Sequence, residues 1–202
     1  MRILETKVYT FSELSEKAQQ CAIDGWRESE AGDTFFAECT IEEFAETIAP
    51  CMGWTLSDSK GHGKAIYFSG FNSQGDGACF EGTWYPEDLN PDKIRSDMPE
   101  PELLRIVDGY VALRDTFPAH GEHVGASVRH RGHYYHAGCT SFDTEGMTDD
   151  QEKELIELSR DLMNWLYRRL ESEYDWYNGD ERIRGTIEAN EYEFTAEGKM
   201  IW

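Results

Sequence analysis

The feature that most constrains the fold is a long amphipathic segment from about Thr148 to Tyr177. Its apolar residues recur at spacings of three and four, which places them on one face of an α-helix. Thr148 and Gln151 match a capping box, a signature of helix starts. The apolar stripe consists of Leu155, Leu158, Leu162, Trp165, Leu166 and Leu170. One long helix with a single buried face is therefore predicted here.

Shorter helical and strand patterns alternate along the rest of the chain. Further helices are predicted after the capping box Thr10–Glu13, from about Thr34 to Met52, around Leu103–Phe117 and over Asp180–Ala189. Strands are predicted at Val8–Tyr9, Lys64–Phe71, Ala78–Tyr85, Tyr192–Phe194 and Met200–Trp202, and one or two further strands over Val124–Phe142. Because hairpins imply antiparallel pairing, we expect an α+β fold in which an antiparallel sheet of hairpins packs against four to five helices.

The length and composition predict a single compact domain over residues 1–202. No stretch approaches the roughly 18 apolar residues of a membrane span, and the first residues lack a signal-peptide pattern, so we expect a cytoplasmic protein. The five cysteines are widely spaced and form no C-x-x-C pair. That pattern favours buried or partly buried thiols in a reducing compartment over a disulfide framework or a zinc site.

Charge limits the class of partner. The chain has 40 Asp and Glu against 19 Lys and Arg, a formal net charge of −21. Such an anionic surface disfavours direct contact with nucleic acid or an anionic membrane and favours contact with a basic surface. We therefore expect the partner to be a protein with a basic, nucleic-acid-binding surface.

Acidic side chains on predicted helices are the candidate partner-binding residues. Glu38, Glu42 and Glu46 recur at i, i+4 and i+8, so they line one face of a helix. Carboxylates in such a row can imitate the phosphates that a nucleic-acid-binding protein recognises. The alternative is an ordinary solubilising surface. The complete predicted set is Glu38, Glu42, Glu46, Asp149, Asp150, Glu154 and Glu157.

A second candidate region joins a glycine-rich turn to a histidine-rich stretch. Glycines at the tip of the predicted hairpin permit positive φ and close backbone approach. The turn lacks the Lys-Ser/Thr pair of a phosphate loop and the several acids of a calcium loop. It is predicted either as plain hairpin structure or as a ligand or partner contact. The residues proposed for a contact are Ser69, Ser73, Gln74 and Asp76, with His130, Tyr134 and His136 on one face of a strand.

No catalytic residue, metal site or cofactor is predicted. The histidines, which include His62, His120 and His123, form no H-x-H pair that would chelate a metal. Cys139 lies near His136 in sequence, but a catalytic triad is defined by spatial arrangement. We therefore expect a protein that is not an enzyme.

Three segments carry a family resemblance. They are Tyr9–Ala18, Phe68–Phe80, which contains Ser-Gln-Gly-Asp-Gly-Ala, and Glu188–Phe194. They are similar to a widespread family of phage and prophage proteins, some of which are described as the antitoxin of a toxin–antitoxin stability system. The resemblance spans nearly the whole chain and implies no catalytic residues.

Charge and resemblance together predict an accessory protein of a phage or mobile element. It would bind and inhibit a host nucleic-acid-handling defence system, of the anti-CRISPR or anti-restriction type, by charge mimicry. One alternative is an antitoxin that neutralises a cationic toxin. Another is an enzyme or binder that acts on a nucleotide signalling molecule at the glycine-rich turn and the histidine-rich strand.

Overall fold

The structure, a computed structural model, describes residues 7–58, 65–118 and 123–201. It is α+β with antiparallel sheets, as the sequence predicts. The elements are β1 (Tyr9–Thr10), α1 (Glu16–Ser29), α2 (Phe35–Glu43), α3 (Ala49–Cys51), β2 (Met52–Leu56), β3 (Ile66–Phe68), β4 (Ala78–Phe80), β5 (Gly82–Leu89), α4 (Asp92–Asp97), α5 (Pro101–Arg114), β6 (Gly125–His130), β7 (Thr140–Glu145), α6 (Asp149–Tyr177), α7 (Asp180–Ala189) and β8 (Glu193–Phe194). Short 3-10 turns occur at Phe11–Glu13 and Ala137–Cys139, and a π-helical turn occupies Phe44–Ile48.

The chain divides into two compact units. The smaller comprises Met1–Ala37 and Ser172–Trp202, and the larger comprises Glu38–Glu171. A single domain over the whole chain stays a prediction. In the residues that the structure describes, every helix is too short or too polar to cross a bilayer.

The smaller unit packs α1 and α7 beside a two-stranded sheet of β1 and β8. Its core contains Phe11, Leu14, Ala18, Ala22, Ile23, Trp26, Ile183, Ile187 and Phe194. The predicted capping box closes the 3-10 turn, and α1 begins only at Glu16, where the Ser15 hydroxyl accepts from the Ala18 N–H. The predicted terminal hairpin is present in short form: Phe194 bridges Met200, the Ile201 N–H donates to the Glu193 carbonyl at 2.9 Å, and the Thr195 N–H donates to the Lys199 carbonyl at 2.8 Å. The strand β8 also pairs with β1. Trp202 lies outside the described residues.

The larger unit is built on a four-stranded antiparallel sheet in the order β2-β5-β6-β7. One face buries Trp54, Trp84, Ala126 and Val128. The helices α5 and α6 reach this face through a chain of hydrogen bonds. The Trp54 indole N–H donates to the Tyr110 hydroxyl at 2.9 Å, which lies 3.1 Å from the Ser159 hydroxyl on α6. The core of this unit therefore lies between the sheet and these two helices.

The predicted central hairpin is present, but its second strand divides. β3 pairs with β4 from Ile66–Phe80 to Phe68–Ala78, and Lys64 lies outside the described residues. After Glu81 the chain leaves this pair and enters the four-stranded sheet as β5, which pairs with β2 and β6. A Cβ on Gly82 would lie 2.5 Å from the Thr55 carbonyl oxygen, so the missing side chain permits this close approach.

Prolines shape three further elements. The predicted helix from Thr34 to Met52 is present as α2, the π turn and α3, and its distortion precedes Pro50, which lacks an N–H and displaces the preceding turn. Pro101 begins α5, at a position where the missing N–H of proline has no partner within the helix to lose. The predicted end of a strand at Tyr85 is wrong, since β5 continues through Pro86 to Leu89, and its register with β2 is irregular there. Helix α4 was not predicted.

Candidate functional site

The acidic row, Glu38, Glu42 and Glu46, lies on the solvent side of α2 and the π turn. All three side chains are exposed, whereas Phe44 and Ile48 on the same helical segment are fully buried. The 3.6-residue period thus places the row outward, as its spacing predicts. Within residues 7–58, 65–118 and 123–201, none of the three acids forms an ion pair. Their binding to a partner stays a prediction.

Arginines of the larger unit are paired with other carboxylates. Arg95 contacts Asp108 and Arg105 contacts Asp161, each at 2.7 Å. Arg168 contacts Glu102. These cations neutralise acids on α5 and α6 and form no ion pair with the acidic row. The Lys93 amine donates to the hydroxyl of Thr47, next to Glu46, at 3.4 Å. The acidic row therefore adds exposed, unpaired negative charge to this unit.

The other predicted acids lie in the first three turns of α6. Asp149, Asp150, Glu154 and Glu157 are all exposed. Asp149 and Asp150 occupy the first turn, where the helix dipole stabilises negative charge. Helix stability alone therefore explains why acids stand at these two positions. Glu157 lies 4.0 Å from the Lys153 amine. Glu38 likewise lies in the first turn of α2, so Glu42 and Glu46 are the acids of the row that lie beyond it.

The loop 69–77 is held together by its own hydrogen bonds. The Ser69 N–H donates to the Gly77 carbonyl at 3.0 Å. One carboxylate oxygen of Asp76 accepts from the Asn72 N–H at 3.1 Å and from the Ser73 N–H at 2.6 Å. Asp76 therefore acts as a staple that closes the turn. Ser73 and Gln74 are exposed at its tip.

Two glycines of this loop admit the histidine-rich segment. A Cβ on Gly75 would lie 2.9 Å from the ring of Tyr134, and a Cβ on Gly77 would lie 2.4 Å from the Cα of His136. The structure therefore brings the two predicted contact regions together. Tyr134 and its neighbours fill the space beside the glycines, so these glycines serve packing between two chain segments. We call residues 69–77 and 130–139 the loop–histidine cluster.

The predicted strand face that His130, Tyr134 and His136 would share is wrong. His130 ends β6, and the other two lie in the irregular connection to β7. The chain turns because the His130 ring nitrogen Nε2 lies 2.9 Å from the Tyr134 carbonyl oxygen, while the His130 N–H donates to a Glu81 carboxylate oxygen at 3.0 Å. These bonds replace the ladder of a continued strand.

His136 and Cys139 form a contact of the loop–histidine cluster that pairs a possible general base with a possible nucleophile. The Nε2 atom of His136 lies 3.4 Å from the Cys139 sulfur. The Gly138 N–H donates to His136 Nδ1 at 3.0 Å, so the neutral ring carries its proton on Nε2. A ring nitrogen that already carries a proton cannot remove one from the thiol. The geometry therefore does not make His136 the general base of a cysteine nucleophile.

Buried neighbours that sequence reasoning missed surround the cluster. Glu81 is 2% exposed. Burial, together with the Glu81 charge and a hydrogen bond to Asp58, raises the pKa of Tyr67 to about 12. Burial, together with Cys139 and Glu81, raises the pKa of the Cys79 thiol to about 12. Both groups are protonated at neutral pH. Glu81, the one acid within the apolar run 78–85, was the sequence signal that could have predicted a buried charged group here.

In the described part of the chain, no three His, Cys, Asp or Glu side chains lie close enough together to hold a metal ion. His62 and His120 lie outside the described residues. His123 stands 5.5 Å from the ring of Tyr85, between ring centres. All five cysteines are free thiols. Cys51 and Cys79 are buried and Cys139 is half-buried, but the prediction of buried or partly buried thiols is wrong for Cys21 and Cys39, which are exposed.

Comparison with known proteins identifies a family. Residues 36–180 match the family described as "Domain of unknown function (DUF8835)". No curated protein and no solved structure matches the chain.

Proposed function

This chain belongs to the DUF8835 family, and we propose that it is a binding protein whose acidic row occupies a basic, nucleic-acid-binding surface of another protein. The protein would be an accessory protein of a phage or mobile element. Its target is then a host nucleic-acid-handling defence system. Inhibition is stoichiometric and involves no turnover.

The observation that supports the proposal is the set of unpaired, exposed carboxylates of the acidic row. Like charges at i, i+4 cost an isolated helix roughly 0.2–0.5 kcal/mol per pair. Among the described residues no cation forms an ion pair with these acids; the Lys93 amine donates instead to the hydroxyl of Thr47, next to Glu46, at 3.4 Å. A basic partner would supply the missing compensation.

Charge spacing sets the scale of the contact. Four residues of a regular α-helix rise about 6 Å, whereas the phosphates of one DNA strand follow each other at about 3.4 Å along the axis. The row therefore offers about half the linear charge density of one strand. It matches a short part of a nucleic-acid groove, and its binding should weaken with salt because exposed charges are screened.

Matched charge removal tests the proposal. Immobilised wild-type protein, E42Q/E46Q and E87Q/D88N are exposed to bacterial lysate, and bound proteins are identified by mass spectrometry. The control pair removes two exposed carboxylates at the end of β5 instead of two from the acidic row. We expect nucleic-acid-binding proteins on the wild type and on the control, eluted by salt and displaced by duplex DNA, and their loss on E42Q/E46Q.

Two results would contradict the proposal. The first is equal capture by E42Q/E46Q and wild type. The second is a bound set without nucleic-acid-binding proteins. A small cationic toxin as the captured protein would instead favour the antitoxin alternative.

A further inference from the structure

The outer face of the four-stranded sheet, which lies opposite the buried core, carries polar side chains. Opposite the buried row of Trp54, Trp84 and Ala126, the paired positions Thr83, Ser127 and Asp143 follow one another across three strands. A cleft of about 390 Å³ opens on this face. Its walls include Thr83, Tyr85, His123, Gly125, Ser127, Asp143 and Glu145.

An aromatic ring forms one wall of this sheet-face cleft. A Cβ on Gly125 would lie 2.9 Å from the Tyr85 ring, so the bare strand at this position lets the ring lie against the sheet. The ring of His123 stands beside Tyr85 with 5.5 Å between centres. The face of an aromatic ring attracts cations through its quadrupole.

Two carboxylates lie on the same side of the cleft. Asp143 and Glu145 are two residues apart on β7, so their side chains leave the same face about 7 Å apart along the strand. Both are exposed, and neither forms an ion pair within the part of the chain that the structure describes. Arg129, which precedes them on this face, is not paired with Asp143 there.

We propose that the sheet-face cleft binds a guanidinium group. The planar cation stacks on the Tyr85 ring while its N–H groups donate to the Asp143 and Glu145 carboxylates, a pairing that charged, planar donors favour. Thr83 and Ser127 also line the cleft, and their hydroxyls are further acceptors for the group. The group is carried either by a small free guanidine or by an arginine side chain of a protein. The site is independent of the acidic row.

The test compares a guanidinium probe with its neutral isostere. L-argininamide and L-citrullinamide are titrated into ¹⁵N-labelled protein at pH 8, where a free imidazole is uncharged. We expect argininamide to shift the amide signals of Gly125, Ser127 and Glu145 with a dissociation constant in the millimolar range, and citrullinamide to bind at least about tenfold more weakly.

Variants separate the cleft from general surface charge. D143N/E145Q should weaken argininamide binding at least about tenfold, whereas E87Q/D88N, which removes two exposed carboxylates from β5, should leave it unchanged. Y85L should weaken binding severalfold, and Y85F, which keeps the ring, should not. The spectra of each variant report whether the fold is intact. A blocked Gly-Arg-Gly tripeptide that binds like argininamide would indicate an arginine side chain, and its exclusion would indicate a free guanidine.

The proposal is overturned if citrullinamide binds as tightly as argininamide. It is equally overturned if D143N/E145Q and E87Q/D88N lose the same affinity. It is also overturned if argininamide shifts none of the cleft amides at concentrations up to about 50 mM, roughly 50 times the dissociation constant of about 1 mM expected for such contacts.

Discussion

Two polar regions of the larger unit, the acidic row and the loop–histidine cluster, use their side chains in opposite ways. In the cluster, Asp76 accepts two backbone N–H bonds, and Gly75 and Gly77 receive Tyr134 and His136. In the acidic row, three exposed carboxylates find no ion-pair partner among the described residues. One region is explained by the fold itself, and the other is not.

The difference indicates where to look for a partner. A side chain whose hydrogen bonds are satisfied within the fold must lose them to bind something else, and each such bond contributes about 1 kcal/mol. An exposed carboxylate that makes no internal bond loses only solvation and gains a cation. Binding a partner therefore costs less free energy at the acidic row than at Asp76, whose internal hydrogen bonds would have to break.

The largest effect should follow from filling the space beside Gly77. In G77A the new methyl group would lie 2.4 Å from the His136 Cα and 2.5 Å from its Cβ, so one of two backbone segments must move. We expect a loss of about 3 kcal/mol in the free energy of unfolding, measured by urea denaturation. The control is G185A on α7, where a Cβ meets nothing within 4 Å and the exchange should stabilise by about 0.5–1 kcal/mol. Equal stabilities for the two variants would show that the loop and the His136 segment do not pack tightly.

Removal of the staple should have a smaller effect. D76A leaves the N–H groups of Asn72 and Ser73 without their acceptor, and we expect a loss of about 1 kcal/mol, as for other side-chain caps of backbone N–H groups. D76N keeps one acceptor oxygen and should recover part of the loss. Hydrogen exchange should accelerate at these two amides in D76A. Unchanged exchange would contradict the role of Asp76 as a staple.

The same contrast explains which parts of the fold the sequence could predict. The α7 bounds, the capping box at Thr148 and the outward position of the acidic row follow from local spacing, and the structure has them. Helix faces and caps depend on residues within one turn of each other. The first capping box, at Thr10, shows the limit, since the same pattern closes a 3-10 turn.

Features that depend on distant residues could not be predicted. The exit of β5 from the hairpin at Glu81 requires Thr55 beside Gly82, and the bend after His130 requires the carbonyl of Tyr134 and the buried Glu81. The sheet-face cleft needs the register that sets Ser127 opposite both Thr83 and Asp143. Strand alternation shows which side chains share a face, but the order of strands is a property of the folded chain.

Alkaline pH should affect the surroundings of the cluster and leave the acidic row unaffected. Burial, Glu81 and the hydrogen bond to Asp58 raise the pKa of Tyr67 to about 12, above the ordinary value of about 10. A raised pKa favours the protonated folded form, so its stabilising contribution is complete below pH 10 and is lost as the pH rises towards 12. We expect the free energy of unfolding to fall over this range, and to fall less in Y67F. Burial also raises the pKa of Tyr110, so Y110F is the second variant to compare. Identical pH profiles for wild type and Y67F would contradict the assignment.

The smallest effect should come from the acidic row itself. E42Q/E46Q removes both repulsive i, i+4 pairs of the row and keeps Glu38 in the first turn of α2, while glutamine and glutamate have similar helix propensities. We therefore expect the variant to be more stable than the wild type by roughly 0.4–1 kcal/mol at low salt. At about 1 M salt the Debye length falls to roughly 3 Å, so the difference should disappear. Urea denaturation at both salt concentrations measures the effect. A less stable variant would show that the row has a stabilising role within the fold, and the contrast with the loop–histidine cluster would then fail.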